Sequence, residues 1–283
     1  MSQPIVYAVV ALLCYGVSDF IYKQGAAAGL RANHFLMAQG WFFVPLVVIY
    51  ALATRRLAPD PAALSGSLAG LFIFIGFLYF IRSLATGAIS TNASIFRMNF
   101  IVTVFLVVVL LGEPLTAHKI AGLMFALIAT WLLLGAGGGA AFDAEQRRSF
   151  VQVVIATLMF GASNFVHTVG LRLGALPETL AVAQGLVFMP LATVVVYVRD
   201  HKLRIAPVTF RYGASAAVAL FGATIFLLRG VADGQASVVV PIAQMGFIIA
   251  AVLGICLLGE RVTIRKTIGL VSALAALGVL ATS

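Results

Sequence analysis

Residues 38–46 read AQGWFFVPL, and the stretch returns 145 residues later as AQGLVFMPL at residues 183–191, with six of nine positions identical. A second pair, LLGEPLT at 110–116 and LLGERVT at 257–263, is separated by 147 residues. The pairs keep their order at nearly one spacing, which chance does not readily produce. We therefore predict that the second half of the chain duplicates the first.

The composition is that of a membrane protein. Of the 283 residues, 62% are hydrophobic and only 10% are charged, whereas soluble domains carry roughly 25% charged residues. Ten segments have the length and hydropathy that a membrane-spanning helix requires. These predicted spans are residues 4–25, 34–54, 65–84, 91–111, 117–135, 150–172, 179–198, 212–231, 237–258 and 263–282.

The duplication divides the spans into two sets of five. We predict a first repeat at residues 1–135, a linker at 136–149 and a second repeat at 150–283. Because five is odd, the second repeat is inverted relative to the first, and both termini lie on one side of the membrane. The predicted fold is all-α and integral to the membrane, with two inverted five-helix repeats around a central cavity, an arrangement typical of alternating-access transporters.

The loop charges give the expected orientation. Loops on the side of the termini carry four lysines and arginines, and loops on the other side carry ten. Since cytoplasmic loops are enriched in these residues, we expect the termini to be non-cytoplasmic in a multi-pass protein of the inner (plasma) membrane.

Several function classes are excluded by the sequence. The net charge of +9 comes from scattered basic residues, so we expect no nucleic-acid partner. Cys14 and Cys256 lie inside apolar spans, and we infer neither a disulfide nor a metal site from them. No phosphate-binding loop and no converging set of catalytic residues occurs, so we expect neither an enzyme nor a bound cofactor.

Ten spans in two repeats, each closing with a Leu-Gly-Glu-x-x-Thr turn before its fifth helix, resemble the EamA-type exporters of the drug/metabolite transporter superfamily. The resemblance covers essentially the whole chain, and the aromatic amino acid exporters are the nearest branch. It implies a cavity lined by the first four helices of each repeat. The family's second-repeat proline is present as Pro241, but its first-repeat counterpart is Ser94, which makes the halves of the cavity unequal.

Matched polar faces on spans one and six are the main candidate site, because charges and amides inside a bilayer are costly and usually face a cavity. A carboxylate in lipid needs a partner or a proton, so Asp19 is a candidate for binding or proton coupling. His167 is either a proton relay or a packing residue, and the serines are either ligands or interhelical hydrogen-bonding groups. The two faces are Tyr15, Ser18, Asp19 and Tyr22, and Phe160, Ser163, Asn164 and His167.

Spans two, four and seven add further candidates. Arg97 needs an internal acceptor, and Asp19 is the expected one; Gln244 occupies the matching place in the second repeat. The amides of Gln39 and Gln184, also repeat-related, suit a polar or zwitterionic substrate. Asn99 is a weaker companion.

Arginines and aromatic residues near span ends are the least certain candidates. Arg82 and its repeat counterpart Arg229 either clamp a substrate carboxylate or extend to the membrane surface. Tyr79 shares the face of Arg82. Trp41 either belongs to an aromatic cavity wall or contacts lipid.

A third group is assigned a structural role. Glu113 and Glu260 precede a helix, where a carboxylate complements the helix N-terminus, and Thr116 and Thr263 are expected N-caps. The prolines expected to kink helices and shape the cavity are Pro45, Pro190 and Pro241.

The sequence thus predicts a secondary transporter, working as a monomer in the bilayer, that exports amino acids or related small metabolites by alternating access. The substrate gradient or protons would drive it. A cationic-drug exporter using Asp19, or a nucleotide-sugar or sugar-phosphate carrier using the arginines, is the alternative. A membrane-embedded enzyme and a channel are more distant alternatives.

Overall fold

The computed structural model describes residues 2–86, 92, 95–134, 144–201, 203, 205–258 and 263–282. Within these residues the chain is helical throughout and contains no strand. A short 3-10 turn, Pro61–Ala63, precedes α3. The helices are α1 Gln3–Ala27, α2 Ala32–Ala53, α3 Leu64–Thr86, α4 Asn99–Leu111, α5 Ala117–Leu134, α6 Ala144–Arg172, α7 Pro177–Asp200, α8 Pro207–Asp233, α9 Ala236–Gln244, α10 Phe247–Leu258 and α11 Ile264–Ala281.

These helices correspond to the ten predicted spans. Eight apolar helices are long enough to cross a membrane, and two shorter ones cover residues 95–111 and 117–133. Span nine consists of α9 and α10, and the break between them comes three residues after Pro241, which lies inside α9. Pro45 and Pro190 lie inside α2 and α7.

The start of span six differs from the prediction. The helix α6 begins at Ala144, so the last six residues of the predicted linker 136–149 are helical. Glu145 lies in the first turn of α6, where a carboxylate is favourable because it faces the positive end of the helix dipole. Residues 136–143, the remainder of that linker, lie outside the described part of the chain.

Two glycines related by the repeat close the tight turns that follow α1 and α6. Gly29 has a φ of 72° and Gly174 a φ of 97°, a left-handed conformation that glycine adopts without steric cost. The same turn therefore recurs at the same place in both halves.

Helix packing follows the duplication. Each major contact between the halves has a repeat-related counterpart: α1 packs on α8 as α6 packs on α3, and α2 packs on α8 as α7 packs on α3. The contact of α1 with α9 and α10 likewise matches the contact of α6 with α4. This exchange of partners is what a pseudo-two-fold axis between inverted repeats produces. The helices α5 and α11 pack on each other and expose apolar side chains such as Trp131 and Leu274.

The first and last helices fix the two faces of the bundle. Pro4, in the first turn of α1, lies against Gly234 after α8, and Leu280, at the end of α11, lies against Gly122 near the start of α5. The chain therefore starts and ends on one face, which we call the terminal face. The other face, which holds the end of α1 and the start of α2, is the opposite face.

Gly16 and Gly161, again repeat counterparts, allow close helix crossings. A methyl group at Gly16 would collide with Ile249 of α10, and one at Gly161 would collide with Val102 of α4. Ile249 and Val102 are themselves 147 residues apart. The same contact between a glycine and a β-branched side chain thus occurs at both crossings.

We predict that Gly16→Ala and Gly161→Ala each destabilise the protein, because overpacking a close contact costs about 1–3 kcal/mol. Gly278→Ala is the matched control, since no atom lies within 4 Å of a Cβ built at Gly278, and alanine gains about 1 kcal/mol over glycine in a helix. Thermal unfolding in detergent should give lower midpoints for the first two variants only. Equal midpoints for all three variants would contradict the close crossings.

Candidate functional site

A cavity of about 160 Å³ lies in the middle of the bundle. Its walls come from α1, α3, α6, α7, α8, the end of α9 and the turn before α4, and none of the described residues of α5 or α11 lines it. Nine of the residues predicted for the site line the cavity: Tyr15, Ser18, Asp19, Tyr22, Arg97, Asn164, His167, Gln184 and Gln244. The polar faces predicted for spans one and six therefore do meet.

An ion pair joins the two charged residues of the cavity. Arg97 donates a hydrogen bond from Nη2 to Oδ1 of Asp19, and the two side chains are only 17% and 13% exposed. Arg97 thus finds the internal acceptor that the sequence predicted. The repeat counterparts of this pair are the uncharged Asn164 and Gln244, so the cavity has one charged and one amide half.

Several polar atoms in the cavity wall are buried without a hydrogen-bond partner among the described residues. They are Asp19 Oδ2, Gln184 Oε1, Asn164 Nδ2 and His167 Nε2. Buried polar atoms in proteins are nearly always hydrogen-bonded, and exceptions need an explanation. Two acceptors, one donor and an imidazole nitrogen that can play either role suit a ligand that carries both donors and acceptors.

Gln39 does not line the cavity but contacts a residue that does. Its Oε1 accepts a hydrogen bond of 2.7 Å from the hydroxyl of Tyr22, and its side chain is 2% exposed. Gln39 borders a small crevice together with Gln184 but does not line the central cavity. It is therefore placed to orient Tyr22 rather than to contact a ligand.

Four phenylalanines in mutual contact form an aromatic wall of the central cavity. The rings of Phe80 and Phe96 stack at 4.2 Å between centroids, and Phe160 meets Phe96 at 4.6 Å and Phe77 at 4.8 Å in edge-to-face contacts. The sequence offered Trp41 as a member of such a wall, with lipid contact as the alternative. The signal that could have found the wall is the spacing of Phe74, Phe77 and Phe80, which puts three rings on one side of α3.

An apolar cavity of about 180 Å³ adjoins this wall on the side of the opposite face. Tyr22, Phe77 and Phe80 line both cavities. The remaining residues around the second cavity belong to the end of α1, the start of α2 and the end of α3. The second cavity therefore lies between the central cavity and the opposite face.

Five predicted site residues lie elsewhere. Trp41 is 40% exposed and donates from Nε1 to Thr193 Oγ1 at 2.9 Å, and Asn99 is buried with its amide bonded to the carbonyl of Phe96. Arg82 is exposed with its guanidinium 5.6 Å from the ring centroid of Tyr79.

Arg229 is the last of these five residues, and it donates a hydrogen bond to Glu178 at the terminal face. Of the two alternatives offered for these arginines, a shared clamp is not what the structure forms, and the reason is geometric. Because the repeats are inverted, Arg82 near one end of α3 and Arg229 near the matching end of α8 lie on opposite faces of the bundle.

Glu113 caps a helix other than the predicted one. Its carboxylate accepts hydrogen bonds from the backbone of Ala236 at 3.1 Å and of Ser237 at 2.9 Å, and it pairs with Arg172 at 2.8 Å. It thus stabilises the N-terminus of α9 in the other repeat, not that of α5, which follows it in sequence. Its counterpart Glu260 lies outside the described residues, as does Ser94.

The predicted threonine caps are present. Thr116 Oγ1 accepts from Lys119 N, and Thr263 Oγ1 accepts from Lys266 N, both at 3.3 Å. Pro45, Pro190 and Pro241 do not line the central cavity, so any effect they have on its shape is exerted through the course of their helices.

Residues 3–135, nearly all of the predicted first repeat, match the EamA-like transporter family. The match covers just under half of the chain, so it identifies the first half as EamA-like. No curated protein matches the chain. One crystal structure, 15% identical in sequence, superposes with a TM-score of 0.82 over 99% of this chain and 98% of its own, which shows that the two share a fold over the whole chain.

We predict that Arg97→Gln and Asp19→Asn each lower the stability of this protein, since leaving one member of a buried ion pair uncompensated costs about 3–5 kcal/mol. The double variant recreates the amide pair that the second repeat has at Asn164 and Gln244. It should therefore recover most of the loss. Thermal midpoints of the four proteins form a double-mutant cycle, and additive losses would show that the pair is not coupled.

Proposed function

We propose that this protein is an EamA-like transporter and that it exports small zwitterionic metabolites, amino acids with an aromatic or other neutral side chain, by alternating access. The observation that carries the proposal is the lining of the central cavity, which combines unpartnered polar atoms with four phenylalanines that contact one another. A ligand that complements this lining has a compact polar head and an apolar side chain.

The polar wall suits the two charged groups of an amino acid. Asp19 Oδ2 and Gln184 Oε1 are free acceptors, which an ammonium group would satisfy. Asn164 Nδ2 is a free donor, which together with Arg97 would satisfy a carboxylate. Hydrogen bonds to charged groups contribute about 1.5–3 kcal/mol each, so a few of them are sufficient to select a zwitterion.

The charge balance of the cavity argues for a substrate without net charge. Asp19 is paired with Arg97, so neither residue offers an uncompensated charge. A cationic drug would have to compete with Arg97 for Asp19. A nucleotide sugar or sugar phosphate would need further cations, yet Arg82 and Arg229 lie outside the cavity.

Three further features belong to the proposal. Asp19 and His167 are candidates for coupling export to protons, because each can gain or lose a proton inside the cavity. The loop charges favour a cytoplasmic opposite face in the inner membrane, so the cavity as described would continue toward the cytoplasm. Transport is proposed to occur in the monomer, since each chain contains a complete cavity.

The proposal is tested by counterflow in liposomes. Purified protein is reconstituted with unlabelled phenylalanine or leucine inside, and uptake of the labelled amino acid is followed. We expect saturable exchange that unlabelled amino acids compete. Exchange of a labelled organic cation or nucleotide sugar, with none of an amino acid, would overturn the proposed substrate class.

We further predict that Gln184→Ala weakens the apparent affinity for the amino acid about tenfold, because losing one hydrogen bond to a charged group costs about 1.5–3 kcal/mol. Gln152→Ala is the matched control, since Gln152 lies on α6 outside the cavity lining. The half-saturation concentration of counterflow measures both. An equal effect of the two substitutions would show that Gln184 does not bind the substrate.

A further inference from the structure

A buried ion pair joins three helices at the terminal face. Arg229, near the end of α8, donates from Nε and Nη2 to Glu178 Oε1 at 3.1 and 2.6 Å. Glu178 lies in the first turn of α7, and its side chain is 0% exposed. The Nη2 group of Arg229 also donates to the hydroxyl of Tyr50, near the end of α2, at 2.6 Å.

Beneath this ion pair, buried apolar residues of α2, α7 and α8 pack against one another, and we call them the terminal-face cluster. Five of its members, each at most 5% exposed, are Phe43, Val47, Ala181, Ile225 and Leu228.

The repeat counterparts of these five residues are packed less tightly. They line a small crevice between the start of α2, the end of α3 and the second half of α7, at the opposite face. We call it the opposite-face crevice, and its corresponding residues are Phe188, Ala192, Leu36, Leu78 and Ile81. All but Ala192 are only partly buried. The same five positions are therefore buried at one face and mostly only partly buried at the other.

The counterparts of the ion pair also differ. Asn33 takes the place of Glu178 and lines the opposite-face crevice. Arg82 takes the place of Arg229 and is exposed on the ring of Tyr79. An amide carries no charge with which to hold the guanidinium, so the opposite face lacks an equivalent of the ion pair for a reason that is visible in the sequence.

The helices α2 and α7 are joined at both faces and do not account for the difference. At the opposite face, Asp200 of α7 contacts His34 of α2 at 2.6 Å and Arg31 at 3.4 Å. At the terminal face, Thr179 donates to the carbonyl of Arg56 at 3.1 Å and accepts from Ala58 N at 3.2 Å.

The difference lies in α3 and α8. Near the terminal face, Gly66 and Gly70 of α3 lie directly on the backbone of Leu180 and Gln184. Farther along, Leu78 and Ile81 of α3 border the crevice instead. At the terminal face, by contrast, α8 remains packed on α2 as far as Tyr50 and Phe221, whose rings are 5.2 Å apart.

We propose that Glu178 and Arg229 form a one-sided latch that holds the cavity closed at the terminal face, and that Asn33 and Arg82 are its unlatched counterpart. The inference rests on the alternating access proposed above. In the switch, Arg229 leaves Glu178, the terminal-face cluster opens and the residues of the opposite-face crevice pack together. Because only Arg229, and not its counterpart Arg82, has a carboxylate partner at this position among the described residues, the resting population favours closure at the terminal face.

The latch is tested by the distance between spin labels at Leu173, before α7, and Ala232, near the end of α8. Both residues are exposed, and the labels are placed in a Cys14→Ala, Cys256→Ala background. We expect one short distance population in the parent protein. Glu178→Gln should increase a longer population about tenfold, because the population ratio of two states changes exponentially with their difference in free energy. A distribution unchanged by Glu178→Gln overturns the latch.

A second variant introduces a carboxylate at position 33, the counterpart of Glu178, and leaves Glu178 and Arg229 unchanged. Asn33→Glu should pair with Arg82, favour closure at the opposite face and increase the same long population at the terminal face. Asn33→Gln is the matched control and should leave the distances unchanged. If Glu178→Gln does not fold, this pair of variants decides, and an Asn33→Glu distribution equal to that of Asn33→Gln overturns the proposal.

The measurement needs no substrate, so it separates the two proposals. Distance changes in the absence of amino acid exchange would support the latch and reject the proposed substrate. Exchange of amino acids without distance changes would support the proposed substrate and reject the latch.

Discussion

Because the two halves are inverted, the described residues of the first repeat and their described counterparts in the second lie at similar depths from opposite faces of the bundle. Counterparts at the middle of a helix therefore meet, as Asp19 and Asn164 do in the lining of one cavity. Counterparts at helix ends are separated, as Arg82 and Arg229 are. This constraint places the polar site at the middle of the bundle. It also puts repeat-related residues at helix ends on opposite faces, so the two faces can be packed differently.

The halves have diverged where they meet. The first repeat contributes the ion pair of Asp19 and Arg97, and the second contributes the amides Asn164 and Gln244. Burying an ion pair costs desolvation energy that its mutual attraction only partly offsets, and unpartnered amides are also costly. One charged half and one amide half give a cavity with no net charge but with free donors and acceptors, which a symmetric pair of halves would not provide.

Divergence at the two faces has a different consequence. The terminal face has the buried carboxylate of Glu178, and the opposite face has Asn33 at the same position. Under the proposed alternating access, the ion pair of Glu178 and Arg229, which has no equivalent at Asn33 and Arg82, would favour closure at the terminal face.

The sequence by itself determined the membrane class, the ten spans and the duplication, because hydropathy and repeated motifs are properties of the chain read in order. It also placed Asp19, Asn164 and His167 in a shared site, since inversion brings matched mid-span faces together. Only the tertiary structure decided that Glu113 caps α9 of the other repeat, that Phe77, Phe80, Phe96 and Phe160 form one wall, and that Arg229 bonds Glu178. These contacts join helices far apart in sequence, and helical periodicity fixes the face a residue occupies but not the neighbour that the face meets.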